Sequence, residues 1–399
     1  MFDRAMYMKQ LLAFRDKPFI KVITGMRRCG KSTLLDLFER HLLEDGVPQE
    51  LIVHMDFESM LYEDLKDHRA LYGHIVARIP KDRRSYVLLD EIQQVESWER
   101  AVNSLMVDRP VDLYITGSNA YLLSSELATL LSGRYVEIRM LPLSFKEYLD
   151  FHEFDERTTQ DEKFDRFLEY GGLPAVAQLQ GSEGLFTALS GIYSTVILKD
   201  IVQRNAVKDV SLLDSLVRFP MSNVGSEVSA ANISRYLTSN GRPTANETVD
   251  NYLTYLENAF ILYKARRFDI KGKLYLKTLG KYYVVDSGIR NALLGKRDAD
   301  IGHILENVVY LELLRRYPEV AIGRVRDREV DFIATGPDEV RYFQVTRSLA
   351  DEAVLRRELA SLESIDDNHE KTILSMDRNF ILSKNGIRFQ NLIDFLLEA

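Results

Sequence analysis

Apolar positions in the first third of the chain alternate between short runs and longer stretches with a helical repeat. Runs rich in β-branched and apolar residues occur at 19–23, 86–89 and 111–116, and polar or glycine residues follow each of them. Between these runs, for example over 32–41, apolar residues recur with the spacing of a helix. Strands that alternate with helices favour a parallel sheet covered by helices. We therefore predict an α/β domain over residues 1–150.

The pattern changes after residue 150. Helical spacing dominates the next segment, where Gly171-Gly172-Leu173-Pro174 is the main break. A helix, a turn with Gly241 and Pro243, a second helix and a β-type ribbon then follow, which is the order of a winged helix-turn-helix. A helix and two strands come after that. The predicted domains are 1–150, 151–215 (helical), 216–290 (winged helix) and 291–399 (α/β).

Residues 25–32 read Gly-Met-Arg-Arg-Cys-Gly-Lys-Ser and lie between a predicted strand and a predicted helix. Glycines in such a loop let the backbone wrap around a phosphate chain, so that N–H groups and the helix N-terminus face its negative charge. Lys31 is expected to reach the terminal phosphates, and the Ser32 hydroxyl to bind Mg²⁺. A coincidental glycine-rich turn is the alternative, which the flanking strand and helix disfavour. The predicted contacts to ATP are Gly25, Cys29, Gly30, Lys31, Ser32 and Thr33.

Two acids follow the apolar run at 86–89. Asp90 would hold the water shell of Mg²⁺ opposite Ser32, and Glu91 is placed to polarise a water for attack on the γ-phosphate. Asn119, or Ser118 beside it, follows the next strand, at the edge where an open α/β sheet binds its ligand. It could orient the attacking water, or it could cap the following helix. Together the acids predict ATP hydrolysis in addition to binding.

These motifs resemble those of the AAA+ ATPases, and more narrowly a prokaryotic group in which the ATPase module precedes a region of unknown function, DUF4143. The segments that carry the narrower resemblance are 131–135, 141–148, 170–174, 281–288 and 329–332. The resemblance implies that Arg134 is an arginine finger, which reaches the γ-phosphate of a neighbouring subunit in a ring, expected to be hexameric. A guanidinium suits this role because its charge is permanent and its donors match phosphate oxygens. A structural arginine that closes a turn with Gly133 is the alternative.

The composition is that of an ordinary globular protein, since 46% of the 399 residues are hydrophobic and 28% are charged. The sequence has no unbroken apolar run near the roughly 20 residues that cross a bilayer. The first residues lack the basic and apolar regions of a signal peptide. A single cysteine, Cys29, excludes an intramolecular disulfide framework. We therefore expect a cytoplasmic protein with no membrane partner.

The net charge of −8 disfavours a protein that coats nucleic acid over its whole surface, but residues 264–281 are strongly basic and contain one acid, Asp269. In a winged helix, the second helix would enter a major groove of DNA and this basic ribbon would follow the phosphates. Alternatively, the winged helix serves packing or subunit contacts and its lysines form a solvated face. The predicted DNA contacts are Lys264, Arg266, Arg267, Lys271 and Lys273, and Lys277 and Lys281 complete the segment.

The last region resembles the PD-(D/E)xK nuclease fold, in which a helix Glu, a strand Asp and a Glu-x-Lys on the next strand gather a metal ion and a general base. Here Glu306 and Asp331 occupy the first two positions. Gln344 and Thr346 replace the Glu and the Lys, so one metal ligand loses its charge and the water loses its activator. We therefore predict a restriction-endonuclease-like α/β domain that is catalytically inactive and is kept for binding or assembly.

Three functions fit these features. Glu91 and Arg134 together favour the first, an ATP-hydrolysing motor or remodeller that acts as a ring on duplex or branched DNA, because a switch needs only slow hydrolysis. The second resembles the STAND signalling ATPases: a nucleotide-operated switch whose C-terminal region recognises a partner protein. The third is an ATP-gated nuclease, which Gln344 and Thr346 disfavour.

Overall fold

The computed structural model describes residues 4–120, 131, 133–177, 179, 181–275, 280–378 and 382–398. The chain forms two compact units, Met1–Pro142 with Asn258–Phe260 and Leu143–Glu257 with Ile261–Ala399. The first unit ends before the predicted limit at residue 150, because the chain after Pro142 pairs within the second unit. There the Leu143 N–H donates to the Gly172 oxygen at 2.7 Å.

The first unit contains the predicted parallel sheet, with strand order β2-β3-β4-β1-β5. Its strands are β1 Ile20–Thr24, β2 Ile52–Asp56, β3 Ser85–Asp90, β4 Val111–Gly117 and β5 Tyr135–Arg139. Its helices are α1 Ala5–Ala13, α2 Lys31–Glu44, α3 His68–Arg78 and α4 Trp98–Asp108. The sequence also predicted a helix between the apolar run at 111–116, which is β4, and Arg134. That helix falls on 121–130, outside the described residues.

Strand β3 is buried along its whole length. Val87 and Leu89 belong to an apolar cluster with α3 and α4, whereas Tyr86 and Leu88 belong to a cluster with α1 and α2. Successive side chains of a strand point to opposite faces, so a central strand between two helical layers is mostly apolar on both faces. This burial explains the unbroken apolar run that precedes Asp90.

The second unit contains more and shorter elements. Its helices are α5 Phe145–Phe151, α6 Gln160–Tyr170, α7 Pro174–Ala177, α8 Ser182–Thr195, α9 Val210–Ser222, α10 Ala230–Ser239, α11 Asn246–Asn258, α12 Ser287–Leu294, α13 Ile301–Arg316, α14 Glu352–Glu363 and α15 Leu392–Leu397. Its strands are β6 Glu227–Val228, β7 Leu262–Ala265, β8 Arg267–Asp269, β9 Leu274–Tyr275, β10 Gly280–Val284, β11 Glu319–Val325, β12 Arg328–Thr335, β13 Val340–Val345, β14 Glu370–Ser375, β15 Ser383–Lys384 and β16 Ile387–Asn391. The predicted limits near 216 and 290 fall inside α9 and α12, so they do not coincide with breaks between elements.

Helix α8 continues directly into a π-helical turn at Val196–Gln203. By length and composition alone, the combined stretch Ser182–Gln203 is apolar enough to cross a membrane, and 41% of its apolar window is buried in the structure. Core helices of soluble proteins meet the same criterion. The sequence prediction counted unbroken apolar runs, and charged residues such as Glu183 and Asp200 interrupt this one.

The order α9–β6–α10–α11–β7–β10 matches the elements expected of a winged helix. Strand β10 pairs antiparallel with both β6 and β7 in a three-stranded sheet. The middle of the basic segment joins another sheet, because β8 pairs with β11 and β9 pairs with β8. These backbone pairs place β8 and β9 at one edge of the C-terminal sheet. Membership of the winged-helix class stays a prediction.

The C-terminal sheet has eight strands in the order β15-β16-β14-β13-β12-β11-β8-β9. Its strands run both ways, since β12 is antiparallel to both of its neighbours, β11 and β13, whereas β13, β14 and β16 are parallel. On helix α14, Leu359 and Leu362 pack with Ile333 and Tyr342 of the sheet. Helix α13 begins at Ile301, so Glu306 lies in its second turn, which is the helix position that the nuclease resemblance implies for it.

Two of the segments singled out in the sequence meet at the carboxylate of Asp286. It accepts hydrogen bonds from the N–H groups of Gly172 at 2.7 Å and Ile289 at 3.0 Å. Burial raises the pKa of Asp286 to about 6. Gly171 has a φ of +78°, and a Cβ there would lie 2.1 Å from Asp286 Oδ1, so only glycine fits. Segments 170–174 and 281–288 therefore meet in a joint inside the second unit.

Candidate nucleotide site

The predicted phosphate loop joins β1 to α2 at the carboxyl end of the parallel sheet, where open α/β sheets bind their ligands. Gly25 has a φ of +151°, and a Cβ there would lie 2.2 Å from the Met140 oxygen. Gly30 has a φ of +102° at the N-terminus of α2. Glycine is therefore required at both positions, by close approach at the first and by backbone conformation at the second. The exposed residues Ser32 and Thr33 begin α2 beside this turn.

Lys31 is buried in the first turn of α2, and its Nζ contacts the loop itself. It donates to the backbone oxygens of Gly25 at 3.2 Å and Met26 at 3.3 Å. It also lies 3.5 Å from Glu91 Oε1. The ammonium group is thus held over the loop by two neutral acceptors and one carboxylate.

Asp90 ends β3 and faces the start of α2. Its carboxylate accepts hydrogen bonds from the hydroxyls of Ser32 and Thr116. Burial raises the pKa of Asp90, and these hydrogen bonds offset only part of the rise. Asp56, the residue paired with Asp90 on β2, adds a second carboxylate at the same edge. Hydroxyl and carboxylate oxygens are the donors that Mg²⁺ prefers, and Mg²⁺ in nucleotide sites takes few protein ligands, so Ser32 and Asp90 fit the ion.

Glu91 adopts a left-handed backbone conformation, with a φ of +52°. Such a conformation is uncommon for a non-glycine residue, and it is often found at functional sites. Ser118 Oγ donates to Glu91 Oε2 at 3.1 Å, and the Gln93 amide donates to the same oxygen. Asn119 is buried next to Ser118. The structure therefore assigns Ser118, the alternative weighed in the sequence, as the direct partner of Glu91.

The side chain of Cys29 points away from the phosphate side of the loop. Its Sγ lies 3.6 Å from the Met140 oxygen, and burial raises the pKa of the thiol. Its N–H already donates to the Met26 oxygen at 3.3 Å. Among the predicted ATP contacts, Cys29 can therefore contribute only through its backbone, and its side chain packs the loop against β5.

Arg134 lies at the opposite end of the sheet from the phosphate loop. Its oxygen accepts from the Ile20 N–H at 2.8 Å, next to the first residue of β5. The parallel pairing carries β1 from Ile20 to Thr24 before the loop begins, which is about 13 Å at about 3.3 Å per residue. The Arg134 side chain is exposed and makes no hydrogen bond or ion pair within the described part of the chain. It is therefore available to another molecule and remote from the phosphate loop of its own subunit.

Sequence reasoning missed Arg4, which supports the loop from α1. Its guanidinium donates to the oxygens of Cys29 at 3.0 Å and Leu141 at 2.9 Å. Tyr7 adds a further bond, because its hydroxyl accepts from the Leu141 N–H at 3.0 Å. No local motif marks these residues, since their partners are distant in sequence.

Comparison with known proteins agrees with this geometry. Residues 17–149 match a family model described as an AAA domain. An uncharacterised protein of Haemophilus influenzae is 43% identical over 401 aligned positions, which cover 100% of this chain and 99% of the relative. The chain belongs to the family of this Haemophilus protein. Its first unit is an AAA-type ATPase domain.

More distant similarities extend beyond this family. The uncharacterised protein MJ1544 of Methanocaldococcus jannaschii is 28% identical over 90% of this chain and 83% of its own length. The Walker-type ATPase PABY2304 of Pyrococcus abyssi aligns with a TM-score of 0.48 and 16% identity, over 73% of this chain and 96% of that chain. Residues 161–300 match a model described as a domain of unknown function, DUF8612. The matching model is not DUF4143, so the narrower resemblance drawn from the sequence is not shown.

In the second unit, two residues of the predicted nuclease pattern, Glu306 and Asp331, form a buried cluster around Lys281. Lys281 Nζ lies 3.0 Å from Glu306 Oε1 and 2.6 Å from Glu329 Oε1. Burial lowers the pKa of Lys281, but the carboxylates of Glu306, Asp331 and Glu329 outweigh it and raise the pKa above its ordinary value. Burial also raises the pKa of Asp331. Lys281 is thus an internal counter-ion and is not part of the exposed basic segment.

Gln344 connects the remaining members of this cluster. Its Nε2 donates to Glu358 Oε2 at 2.6 Å, and its Oε1 accepts from the Asp331 N–H at 2.6 Å. A carboxylate in place of the Gln344 amide would repel Glu358. Sequence reasoning missed Glu358, because this residue lies on α14, outside the nuclease motif. Thr346 follows β13, where its N–H donates to the Leu374 oxygen at 2.9 Å. The amide therefore has a structural role in the cluster.

The basic segment keeps four exposed cations among those predicted to contact DNA, namely Lys264, Arg266, Lys271 and Lys273. Arg267 differs, because its guanidinium is buried and lies 2.5 Å from Glu227 Oε1. This environment does not suit a phosphate contact. Lys277 lies outside the described residues. The second helix of the predicted winged helix, α11, carries Glu247 and Asp250 on its exposed face and no lysine or arginine. That charge disfavours its entry into a DNA groove.

Proposed function

We propose that this protein hydrolyses ATP as an oligomer in which Arg134 of one subunit completes the nucleotide site of its neighbour. The convergence of Lys31, Asp90 and Glu91 on the phosphate loop carries the first half of the proposal. The exposed position of Arg134 at the opposite end of the sheet supports the second. Because Arg134 cannot reach the nucleotide site of its own subunit, it can take part in hydrolysis only at the nucleotide site of a second subunit.

Each residue has a defined task in this reaction. Loop N–H groups and Lys31 bind the β- and γ-phosphates, and Glu91, held by Ser118, polarises the attacking water. Asn119 is proposed to orient that water. When bound with ATP, Mg²⁺ neutralises phosphate charge, and Ser32 and Asp90 would hold it. Arg134 from the neighbour would stabilise charge on the transferring phosphoryl group.

The test mixes two inactive variants. Arg134→Ala subunits and Lys31→Ala subunits should each hydrolyse little ATP alone, and mixed oligomers should regain partial activity, because one variant supplies the arginine and the other an intact phosphate loop. Arg84→Ala is a matched control, since Arg84 also precedes a strand of this sheet and is exposed. Light scattering would give the oligomer size, for which we propose a ring. Mixed oligomers that form without activity would contradict the role of Arg134.

We further propose that the ATPase acts on DNA through the exposed cations Lys264, Arg266, Lys271 and Lys273. Cations of this kind bind phosphates without reading sequence. ATP turnover should rise when single-stranded, duplex or four-way junction DNA is added, and the binding should weaken steeply with salt. If no DNA changes turnover, the second candidate is a nucleotide-operated switch that binds a protein partner, which the acidic exposed face of α11 favours.

For the C-terminal sheet, we propose a nuclease-like domain without cleavage activity. Within the described parts of the chain, no three His, Cys, Asp or Glu side chains are arranged to hold a metal ion. The ammonium of Lys281 lies among the carboxylates instead. A supercoiled plasmid incubated with Mg²⁺ or Mn²⁺ and ATP should stay intact. Cleavage that disappears on Asp331→Ala would contradict this proposal.

A further inference from the structure

The C-terminal sheet bears a groove beside helix α14. The groove has a volume of about 680 Å³, and residues of β8, β9, β11, β12 and β13 line it. This volume lies within the range of small-ligand sites, at about 300–1,000 Å³. Apolar side chains form much of its floor, including Ile270, Val325 and Ile365. A groove of this size that combines apolar, aromatic and charged side chains is a candidate ligand site.

The two ends of the groove carry opposite charges. Lys271 and Lys273 lie in the turn after β8, and Arg326 follows β11. These turns share one end of the sheet, because Arg324 of β11 pairs with Asp269 of β8. All three side chains are exposed, so this end is strongly cationic.

The other end is acidic. Glu319 begins β11, and Asp366 and Asp367 precede β14. The strand register brings the start of β11 to the end of β12, and the starts of β13 and β14 to the same edge. Glu319 accepts from the Tyr275 hydroxyl, and Asp367 accepts from the Tyr342 hydroxyl at 2.7 Å. Asp366 is exposed and has no hydrogen-bond partner among the described residues.

Aromatic rings line the groove between these ends. Tyr275 is 36% exposed, so part of its ring is accessible to a ligand. Its orientation is fixed, because the Phe268 ring packs edge-on at 5.2 Å and Glu319 accepts from its hydroxyl. The guanidinium of Arg266 lies over one face of the same ring, 5.6 Å from its centroid, so a base would stack on the other face. The ring is thus a rigid platform beside cations.

We propose that this groove binds an unpaired nucleotide of a single-stranded nucleic acid. The phosphates would contact Lys271, Lys273 and Arg326, and the base would stack on Tyr275. Amino groups of the base would donate to the acidic end, as carboxylates accept from cytosine N4. A nucleotide has an anionic phosphate, an aromatic base and hydrogen-bond donors on the far edge of that base. These three parts correspond to the cationic end, the aromatic middle and the acidic end of the groove. The proposal rests on the proposed DNA function and specifies the kind of strand that is bound.

A duplex does not fit this arrangement. Its bases are paired and stacked on one another, so none is free to lie on Tyr275 unless it leaves the stack and loses its pairing and stacking energy. The groove should therefore prefer single strands to duplexes of the same sequence. Duplex binding through phosphates alone would use the exposed lysines and leave Tyr275 without a role.

The test measures fluorescence anisotropy of a labelled cytosine-rich oligonucleotide bound to the full chain. Tyr275→Ala should weaken binding about tenfold, because stacking is lost, whereas Tyr275→Phe should keep it. The matched control is Leu274→Ala, a neighbouring exposed residue that does not line the groove. Replacing both Lys271 and Lys273 with Gln should lower the salt slope by up to about 1.4, at about 0.7 per phosphate of a single strand. Lys384→Gln, at the opposite edge of the sheet, should not change it.

The outcomes separate this inference from the proposed DNA function. Equal binding of duplex and single strand, with no effect of Tyr275→Ala in a normally folded variant, would overturn the groove proposal and leave the DNA function standing. No binding of any nucleic acid would contradict both. Oligonucleotides of RNA and DNA with one sequence would show which of the two the groove prefers.

Discussion

Lys31 in the first unit and Lys281 in the second are both buried beside acidic side chains, and they differ in their other partners. Lys31 donates to backbone oxygens at 3.2 and 3.3 Å and lies 3.5 Å from Glu91. Lys281 lies 3.0 and 2.6 Å from two carboxylates. A phosphate can compete for the first ammonium group because its present partners are mostly neutral. The ammonium group of Lys281 already pairs with two carboxylates, so it stabilises the fold and is not available to bind a ligand.

The acids of the two clusters differ in the same way. At the phosphate loop, the hydrogen bonds of Asp90 and Glu91 come mainly from hydroxyl and amide donors, such as Ser118 and Thr116. In the second cluster, Glu306 is bound by Lys281 and by the Tyr283 hydroxyl. Hydroxyl donors orient a carboxylate without neutralising it, which keeps it available for a metal ion or a water. An ammonium donor neutralises it.

The largest expected effect separates the two clusters by activity. Glu91→Gln should lower ATP turnover by about 10² to 10⁴-fold, the usual loss for a general base, while ATP binding is kept. Glu306→Gln, the matched change in the second cluster, should leave turnover unchanged. Steady-state phosphate release and binding of a fluorescent ATP analogue measure the two quantities. Wild-type turnover in Glu91→Gln would show that another group activates the water.

The second effect separates the clusters by stability. Lys281→Met leaves buried carboxylates without their counter-ion, which typically costs about 3–5 kcal/mol. Lys31→Met removes bonds to backbone oxygens and should cost much less. Urea unfolding followed by circular dichroism gives both free energies. If the two variants lose equal stability, the distinction between a ligand-binding and a structural lysine fails.

The phosphate site could be predicted from the sequence because its residues lie in three short segments at strand ends. Glycine spacing, Lys31, Asp90 and Glu91 each carry a local signal. The second cluster could be predicted only in part. Glu306, Asp331 and Gln344 follow a known spacing, but Lys281 and Glu358 come from β10 and α14, and nothing local distinguishes them from surface charges. The same limit applies to Arg267, whose burial against Glu227 depends on the pairing of β8 with β11.

A pH experiment sharpens the comparison for Asp331. Its pKa is raised in the folded state by burial. The folded state therefore binds this proton more tightly than the unfolded chain, and the contribution of Asp331 to stability falls as the pH rises above about 4. Asp331→Asn removes this titration and keeps an oxygen that can accept from the Val345 N–H. Urea unfolding at pH 5 and pH 8 should show that the variant gains relative to wild type at the higher pH. If the variant instead gained stability relative to wild type at the lower pH, the pKa of Asp331 would be lowered in the folded state, not raised.

The smallest effect concerns the hydrogen bond that holds Glu91. Ser118→Ala removes a donor at 3.1 Å from Glu91 Oε2, a loss of about 1 kcal/mol, and should lower kcat roughly fivefold with little change in KM. Ser118→Thr should restore most of the activity, because it returns the hydroxyl. Asn119→Ala should lower kcat more if Asn119 orients the attacking water. A rise in KM at constant kcat in Ser118→Ala would mean that Ser118 serves ATP binding, and the carboxylate of Glu91 would then be positioned by Gln93 instead.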